Sequence, residues 1–384
     1  MNPTAVAPDK GSQLEILPVK DRRDLQAFID LPYQLYNTDK TWIPPLRSEQ
    51  RAQYDPVKNP MLNHCTYALF LARQQERVVG RISAFIDHLA LEHWQQPIGL
   101  FGSFECIEDA AVAQGLLSAA RDWLRAQGMK VMRGPWSFAS QEWGLVVEGF
   151  EPEPVILAPY NPPYYNDLVT AFGMVKANDL LVYVIDAREG YTVPERILQL
   201  TDKVRQRYKV RVRPVDMRHL EEDVLTITRL ANESISDNWG FYPVTDEEAR
   251  AMARDMKQIV HPRAILIAEE EDSGRPIGFA MSLPDVNILL KGLNGRLFPF
   301  GWLKLLTGLP RLTQYRMWAL GVIPEYHGRA IDTLLYRATY EAIYSDQLRL
   351  EINYVLEDND RMNNALLKLG VKHLRRYRVY EMQI

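Results

Sequence analysis

The chain has 384 residues, 47% hydrophobic and 24% charged, a composition typical of an ordinary globular protein with two domains or one large one. Its net charge of -4 and pI of about 6.0 lack the basic excess of nucleic-acid-binding proteins, so no nucleic-acid partner is expected. Cys65 and Cys106 form no C-x-x-C pair and no histidines stand at metal-ligand spacing, so neither a disulfide framework nor a metal site is predicted.

Residues 1–13 are polar, and the chain has neither an apolar signal region nor a run long enough to span a membrane, so we expect a flexible tail and a cytoplasmic protein. Hydrophobic periodicity then predicts a first domain over 14–187. Its predicted strands are 14–19, 67–73, 77–86, 98–107, 130–134 and 180–185. Its predicted helices are 22–36, 110–127 and 164–172.

The second half, 194–384, repeats this order of elements after a linker near 186–194. Its predicted strands are 210–215, 264–270, 276–283, 316–322, 348–355 and 376–382. Its predicted helices are 220–237, 246–260, 329–344 and 359–369. The alternation in 348–355 is that of a half-buried strand, and the basic run 375–378 is expected on a solvated strand face. The shared order indicates a structural duplication of α/β units with mixed sheets flanked by helices.

The segment 317–336 is an apolar strand that runs through a tight turn directly into a helix. Such a helix start offers unpaired backbone N–H groups and the positive end of the helix dipole, and both favour a phosphate group. A helix start that merely packs against the core is the alternative interpretation.

This stretch resembles the acetyl-CoA-binding motif of the GNAT superfamily, approximately V-x-P-x-x-[RQ]-x-x-G-x-[GA], with Val322 and Pro324 on its first positions. His327 replaces the usual Arg or Gln, and Ala330 and Asp332 replace its two glycines. The resemblance implies two tandem GNAT-like folds, with acyl-CoA or acetyl-CoA as co-substrate. The residues implied to bind it are Gly321, Val322, His327, Gly328, Arg329, Ala330, Ile331 and Asp332.

Asp332 is the main departure from the motif, because its carboxylate favours the helix start by roughly 0.3–1 kcal/mol but repels a diphosphate there. Either the diphosphate is displaced, with Arg329 and His327 compensating, or this half binds CoA poorly and has lost catalysis.

A second stretch, 357–371, resembles the N-x-x-A-x-x-L-Y-x-K-x-G-F signature of the same superfamily. Asn359, Lys368 and Gly370 fit it, and the resemblance implies that Asn359 contacts the pantetheine arm. Leu366 replaces the tyrosine that often protonates the departing thiolate, and Tyr354 is the substitute candidate.

By the same resemblance, the Gly321 and Val322 amides would polarise the thioester carbonyl. Glu351 and Glu325 are candidate general bases, with solvated surface carboxylates as the alternative.

The first half lacks the phosphate loop, since its equivalent segment 101–110 places Glu105, Glu108 and Asp109 near the helix start. It also carries a long aromatic and Pro-rich connection, 136–165, which either shapes an acceptor pocket or packs as a covering loop.

An apolar insertion over 284–315 separates two strands of the second half and mixes Trp302 and several Phe and Leu residues with Arg296, Lys304 and Arg311. Its segment 297–306 is too short to span a bilayer. It either makes a peripheral contact with the inner membrane face, covers a long acyl chain, or packs as a helix between the halves.

The stretches 143–150, 159–165, 293–302 and 328–332 resemble the YghO-like group of tandem GNAT proteins over nearly the whole chain. The resemblance implies an acyl-CoA-dependent N-acyltransferase with an altered, longer-chain donor site. Because bacterial ceramide-forming N-acyltransferases are GNAT-like, it also implies a lipid or sphingoid-type amine acceptor. The alternative is a catalytically degenerate GNAT-fold protein with a binding or regulatory role.

Overall fold

The computed structural model describes residues 14–75, 77–138 and 143–384. The predicted tail, 1–13, and residues 139–142 of the aromatic connection lie outside the described residues. Among the helices of the described part, none combines the length and apolar character needed to cross a bilayer.

The first half supplies seven strands and five α-helices to the described structure. The strands are β1 (Leu14–Pro18), β2 (Cys65–Gln74), β3 (Arg77–Asp87), β4 (Ile98–Cys106), β5 (Val131–Gly134), β6 (Leu145–Glu148) and β7 (Val175–Asp186). The helices are α1 (Arg22–Leu35), α2 (Arg47–Gln53), α3 (His88–Trp94), α4 (Ala110–Ala126) and α5 (Tyr164–Ala171).

The second half repeats this plan after an additional helix at its start. The strands are β8 (Val210–Pro214), β9 (Ile265–Glu270), β10 (Pro276–Pro284), β11 (Gln314–Val322), β12 (Arg349–Leu356) and β13 (Lys372–Gln383). The helices are α6 (Glu195–Tyr208), α7 (Leu220–Ser234), α8 (Asp246–Met256), α9 (Asn287–Leu290), α10 (Gly301–Gly308), α11 (Ile331–Ile343) and α12 (Asp360–Lys368).

All these strands join one mixed sheet with the order β1-β2-β3-β4-β5-β13-β7-β12-β11-β10-β9-β8, and β6 also pairs with β13. The last strand of each half crosses to the other half, since β7 pairs with β12 and β13 pairs with β5. The two exchanged strands lie antiparallel at the centre of the sheet. The mixed α/β class and the duplicated GNAT-like plan predicted from the sequence are confirmed, whereas the domain boundaries stay a prediction.

The basic run at 375–378 lies in β13, at the centre of the sheet, and the expected solvated face is wrong for Arg375, which is 2% exposed. Arg376 and Arg378 both hydrogen-bond to Asp179 of β7, at 3.2 and 2.8 Å. Burial opposes ionisation of Asp179, but the hydrogen bonds and charge of the two arginines outweigh it and lower the pKa of this carboxyl. The arginines therefore tie the two exchanged strands together.

The strands β11 and β12 are parallel, and their pairing covers only 314–317 against 349–352. Beyond Met317, β11 stays paired with β10 as far as Val322, while β12 continues along β7. The two strands therefore diverge and leave an opening in the sheet. In the first half, β4 and β5 pair only over 98–100 against 131–133, which produces an equivalent divergence.

Candidate functional site

The opening between β11 and β12 is bordered by the backbone of the last residues of β11. Ile323 donates its N–H to the carbonyl oxygen of Ile277, at the start of β10, 3.0 Å away. Because amide directions alternate along a strand, the Val322 N–H points away from β10 and toward the opening. Gly321 serves a packing role here, since a Cβ at this position would clash with the Ser234 Oγ of α7.

The loop after β11 is held by His327, whose Nε2 lies 2.8 Å from the carbonyl oxygen of Val322. Gly328 follows with a φ of +78°, and nothing lies within 4 Å of the position its Cβ would occupy. The guanidinium of Arg329 lies 4.5 Å from the ring centroid of Tyr326 and is only partly buried. This loop is therefore open on one side and carries a cation at its edge.

Helix α11 begins after Ala330, which adopts a left-handed conformation with a φ of +58° and provides no side-chain cap. Ile331 is buried in the core of the second half and anchors the first turn. The first amides of this helix are thus left without a capping side chain, which is the arrangement that favours an anion.

Asp332 lies in the first turn of α11. Burial raises the pKa of its carboxyl, and the opposing influences are the Arg361 charge, the nearby backbone N–H groups of Asp332 and Thr333, and His327. The carboxyl group therefore competes with an incoming phosphate for the same end of the helix.

The corresponding region of the first half is already filled by the chain itself. The Asp109 carboxylate caps α4 by accepting hydrogen bonds from the amides of Ala111 and Val112, at 2.8 and 3.3 Å. At the end of β4, the Cys106 N–H donates to the Tyr165 hydroxyl at 2.9 Å. Both the helix start and the strand end have internal partners, which supports the prediction that this half holds no diphosphate.

Glu351 lies on the sheet face opposite α11, at the narrow end of the opening. It is paired in register with Arg316 of β11, and its residue is 1% exposed. Its Oε1 accepts a hydrogen bond from Arg349 at 3.0 Å, while its Oε2 has no hydrogen-bond partner among the residues that the structure describes. The alternative of a solvated carboxylate is therefore wrong for Glu351. Glu325 is 52% exposed and ion-paired with Arg275.

The expectation that β12 is half-buried is also wrong, because its polar face is covered as well: Asn353 is 4% exposed. The cover is the connection between β6 and α5. Its Ile156 carbonyl accepts a hydrogen bond from Arg316 at 2.8 Å, and its Gly149 carbonyl accepts one from Arg375 at the same distance. The connection thus covers a group of polar side chains, which we call the polar chamber: Asp285, Arg316, Glu351, Asn353 and Tyr354.

Asp285, the residue directly after β10, was not singled out from the sequence. It is 4% exposed, and its Oδ1 accepts the Ile156 N–H at 2.8 Å. Burial raises the pKa of this carboxyl to about 7, and the nearby Glu351 charge adds to the shift. Its position directly after a strand, at the start of a long insertion, was the available sequence signal.

Tyr354 reaches the same chamber, with its ring 5.1 Å from the Arg316 guanidinium and 5.3 Å from the Tyr377 ring. Asn359 instead caps α12, accepting the Met362 N–H at 3.0 Å. Leu366 is fully buried in the core, so its position offers no proton donor. The predicted roles of Tyr354 and Asn359 stay predictions.

The insertion packs one surface against the first half and leaves the other exposed. Its inner side chains join an apolar cluster with Ile43, Leu46 and Ile156 of the first half. The outer ones include Phe298, Phe300 and Leu306, which are 80%, 76% and 64% exposed. A helix wholly buried between the halves is therefore excluded for α10.

One group of possible metal ligands occurs among the described residues, away from the opening: His64, Cys65 and Asp87. The two ring nitrogens of His64 already face carboxylates, 3.0 Å from Asp87 and 3.4 Å from Glu248. Although burial opposes it, hydrogen bonding to these groups raises the pKa of His64 to about 12, so an ion-pair network explains the cluster.

No family model matches the chain. It is 35% identical to Protein YghO of Escherichia coli (strain K12) over 372 residues, covering 95% of this chain and 94% of that protein. It is 36% identical over 380 residues to a protein named bacterial ceramide synthase from Caulobacter vibrioides, covering 97% of this chain and 98% of the relative.

Solved structures with a similar fold include the tandem GNAT protein from the clavulanic acid biosynthesis pathway, with a TM-score of 0.58, 14% identity, and coverage of 97% of this chain and 98% of that one. A GCN5-related N-acetyltransferase from Sphaerobacter thermophilus has a TM-score of 0.51 and 12% identity, covering 96% of this chain and 95% of its own. These likenesses confirm the fold, and the two relatives in sequence show the family. The chain therefore belongs to the YghO-like family of tandem GNAT-fold proteins.

Proposed function

We propose that the chain is an acyl-CoA-dependent N-acyltransferase whose reaction takes place at the opening of the second half. The observation that carries this is the divergence of β11 from β12 beyond Met317, with the uncapped start of α11 beside it and the buried Glu351 at its narrow end. This arrangement offers an anion site, a backbone donor and a buried carboxylate around a single gap.

In this reaction the diphosphate of the donor lies at the loop 327–332, and the Val322 N–H donates to the thioester carbonyl oxygen. The amine lone pair attacks the carbonyl carbon, so a C–N bond forms as the C–S bond breaks. The proton lost by the amine passes to Glu351, and Tyr354 protonates the departing thiolate. The Tyr354 phenolate then takes a proton from solvent and Glu351 releases one, so both side chains return to their starting states. The products are an amide and free CoA.

The acceptor is proposed to be a lipid-like amine of sphingoid type, and the donor a long-chain acyl-CoA. The name of the Caulobacter relative supports a lipid acceptor. The apolar cluster between the insertion and the first half supports it independently, because it places Leu283 and Ile156 next to the polar chamber. The aliphatic tail of such an acceptor would pack in this apolar cluster while the amine of its head group reaches Glu351.

We propose a peripheral membrane contact through the outer side of 297–306. Its large exposed side chains are flanked by exposed Arg296, Lys304 and Arg311, and no Asp or Glu occurs between Asp285 and Glu325. An apolar surface with basic neighbours matches an anionic lipid surface, although the whole chain carries a net charge of -4.

Calorimetric titration with acetyl-, octanoyl- and palmitoyl-CoA tests the donor. We expect binding, tightest for palmitoyl-CoA, and weaker binding by Arg329→Glu than by the control Arg125→Glu on the exposed face of α4. If none of the three donors binds, the proposal of an acyl-CoA-dependent enzyme is contradicted. Unchanged affinity in the Arg329 variant would place the diphosphate elsewhere.

A second candidate is a catalytically degenerate GNAT-fold protein with a binding or regulatory role. Asp332 at the helix start and the buried Leu366 at the usual tyrosine position favour it. Binding of acyl-CoA without amide formation from any amine would support this candidate over the enzyme.

A further inference from the structure

Arg316 is a charged side chain with no exposed surface in the polar chamber. Its Nη1 donates to the Ile156 carbonyl at 2.8 Å, and its guanidinium lies 5.1 Å from the centroid of the Tyr354 ring. Among the described residues, its Nε and Nη2 have no hydrogen-bond partner. Because a buried donor without an acceptor destabilises the folded chain, and most of all when it is charged, an oxygen-bearing group is expected to fill this edge.

The neighbouring Arg375 provides a contrast within the same chamber wall. It is 2% exposed, and its nitrogen atoms donate to the carbonyls of Gly149 and Pro152 and to the Tyr377 hydroxyl. The buried guanidinium of Arg375 thus has internal hydrogen-bond partners, as expected of a residue with a structural role. Arg316 differs, because two of its three nitrogens are left open.

The open donors of Arg316 lie beside open acceptors. Register pairs Arg316 with Glu351, and in the described part of the chain neither the Glu351 Oε2 nor the two amide atoms of the buried Asn353 have a partner. Unfilled donors on β11 and unfilled acceptors on β12 therefore occur on neighbouring strands at the narrow end of the opening. A ligand that complements both carries an amine and an oxygen within a few bonds of each other.

We infer that Arg316 is a specificity-determining residue, whose Nε–Nη2 edge binds an oxygen on the carbon adjacent to the acceptor's amine-bearing carbon while Glu351 Oε2 binds the amine itself. This edge of a guanidinium presents two parallel N–H groups, which suit a hydroxyl oxygen or, in a bidentate way, a carboxylate. The acceptor head group is then either a 2-amino alcohol or a 2-amino acid. The inference rests on the proposed function.

The test compares three acceptors of equal chain length with palmitoyl-CoA as donor: a linear alkylamine, the 2-amino alcohol and the 2-amino acid. We expect kcat/KM for one of the oxygen-bearing acceptors to exceed that for the alkylamine by at least about tenfold, because a site built for an oxygen rejects an analogue without it. The acceptor with the higher kcat/KM shows whether the site binds a hydroxyl or a carboxylate.

Arg316→Lys keeps the charge and a donor for the Ile156 carbonyl, and Arg316→Met keeps much of the side-chain length. A melting curve of each variant shows whether it is folded. We expect each to lower the preference to about one, by raising KM for the oxygen-bearing acceptor more than KM for the alkylamine. A purely structural role would lower all three rates together. An unchanged preference in a folded variant, or a wild-type preference for the alkylamine, would overturn the inference. If the wild type acylates no amine, the proposed function fails instead.

Discussion

The membrane contact of the insertion is tested by removing two of its exposed apolar side chains in Phe300→Ser/Leu306→Ser. Full burial of one such side chain is worth about 1.5–3 kcal/mol. Scaled by exposures of 76% and 64%, the two together are worth about 2–4 kcal/mol of membrane binding. Since each 1.4 kcal/mol is a factor of ten, the partition coefficient should fall about 30- to 1000-fold.

The assay is co-sedimentation with vesicles, one set containing phosphatidylglycerol and the other only phosphatidylcholine. The matched control is Val57→Ser/Val175→Ser, since these side chains are 93% and 61% exposed but lie outside the insertion. Wild type and control should bind the anionic vesicles more tightly than the neutral ones, and added salt should weaken that difference. Equal binding by the Phe300/Leu306 variant and the control would refute the contact.

Three further changes probe the site. Glu351→Gln should lower kcat by roughly 10²–10⁴ with little change in KM, whereas Glu325→Gln, on the surface, should leave both unchanged; equal losses would contradict the base assignment. Asp332→Asn should tighten acyl-CoA binding by about fivefold or more in calorimetry, since it removes a like charge from the helix start, and unchanged affinity would mean that the diphosphate lies elsewhere. Burial raises the pKa of Asp285 to about 7, above about 3.9 in the unfolded chain, so this group costs stability as pH rises from about 4 to 7. In thermal melts, the Tm of Asp285→Asn relative to that of the wild type should rise across that window and stay constant above it. A Tm difference that is the same at all pH values would contradict the assignment.

The local elements were predictable because their signals are local. The strands predicted at 264–270 and 276–283 form the hairpin of β9 and β10. The helices predicted at 110–127 and 359–369 end just before Gly128 and Gly370, which have positive φ. The likeness of the two halves in element order was sufficient to indicate the duplicated fold.

The strand exchange was not predictable, because a strand's periodicity shows which faces are covered and not which neighbour covers its edge. The buried state of Glu351 was missed for a related reason. Alternation in β12 shows two kinds of face, but the burial of the polar face depends on the connection at 149–156, which is distant in sequence. Arg316 and Asp285 became recognisable as candidates only after that cover was placed.

The most direct measurement of the central claim is the mass of the product after incubation with palmitoyl-CoA and a long-chain 2-amino alcohol. The account predicts an amide heavier than the amine by the palmitoyl group, formed in equal amount with free CoA thiol, and far slower with Glu351→Gln than with the wild type. Donor binding without any amide, or an amide yield unaffected by the Glu351 substitution, would contradict it.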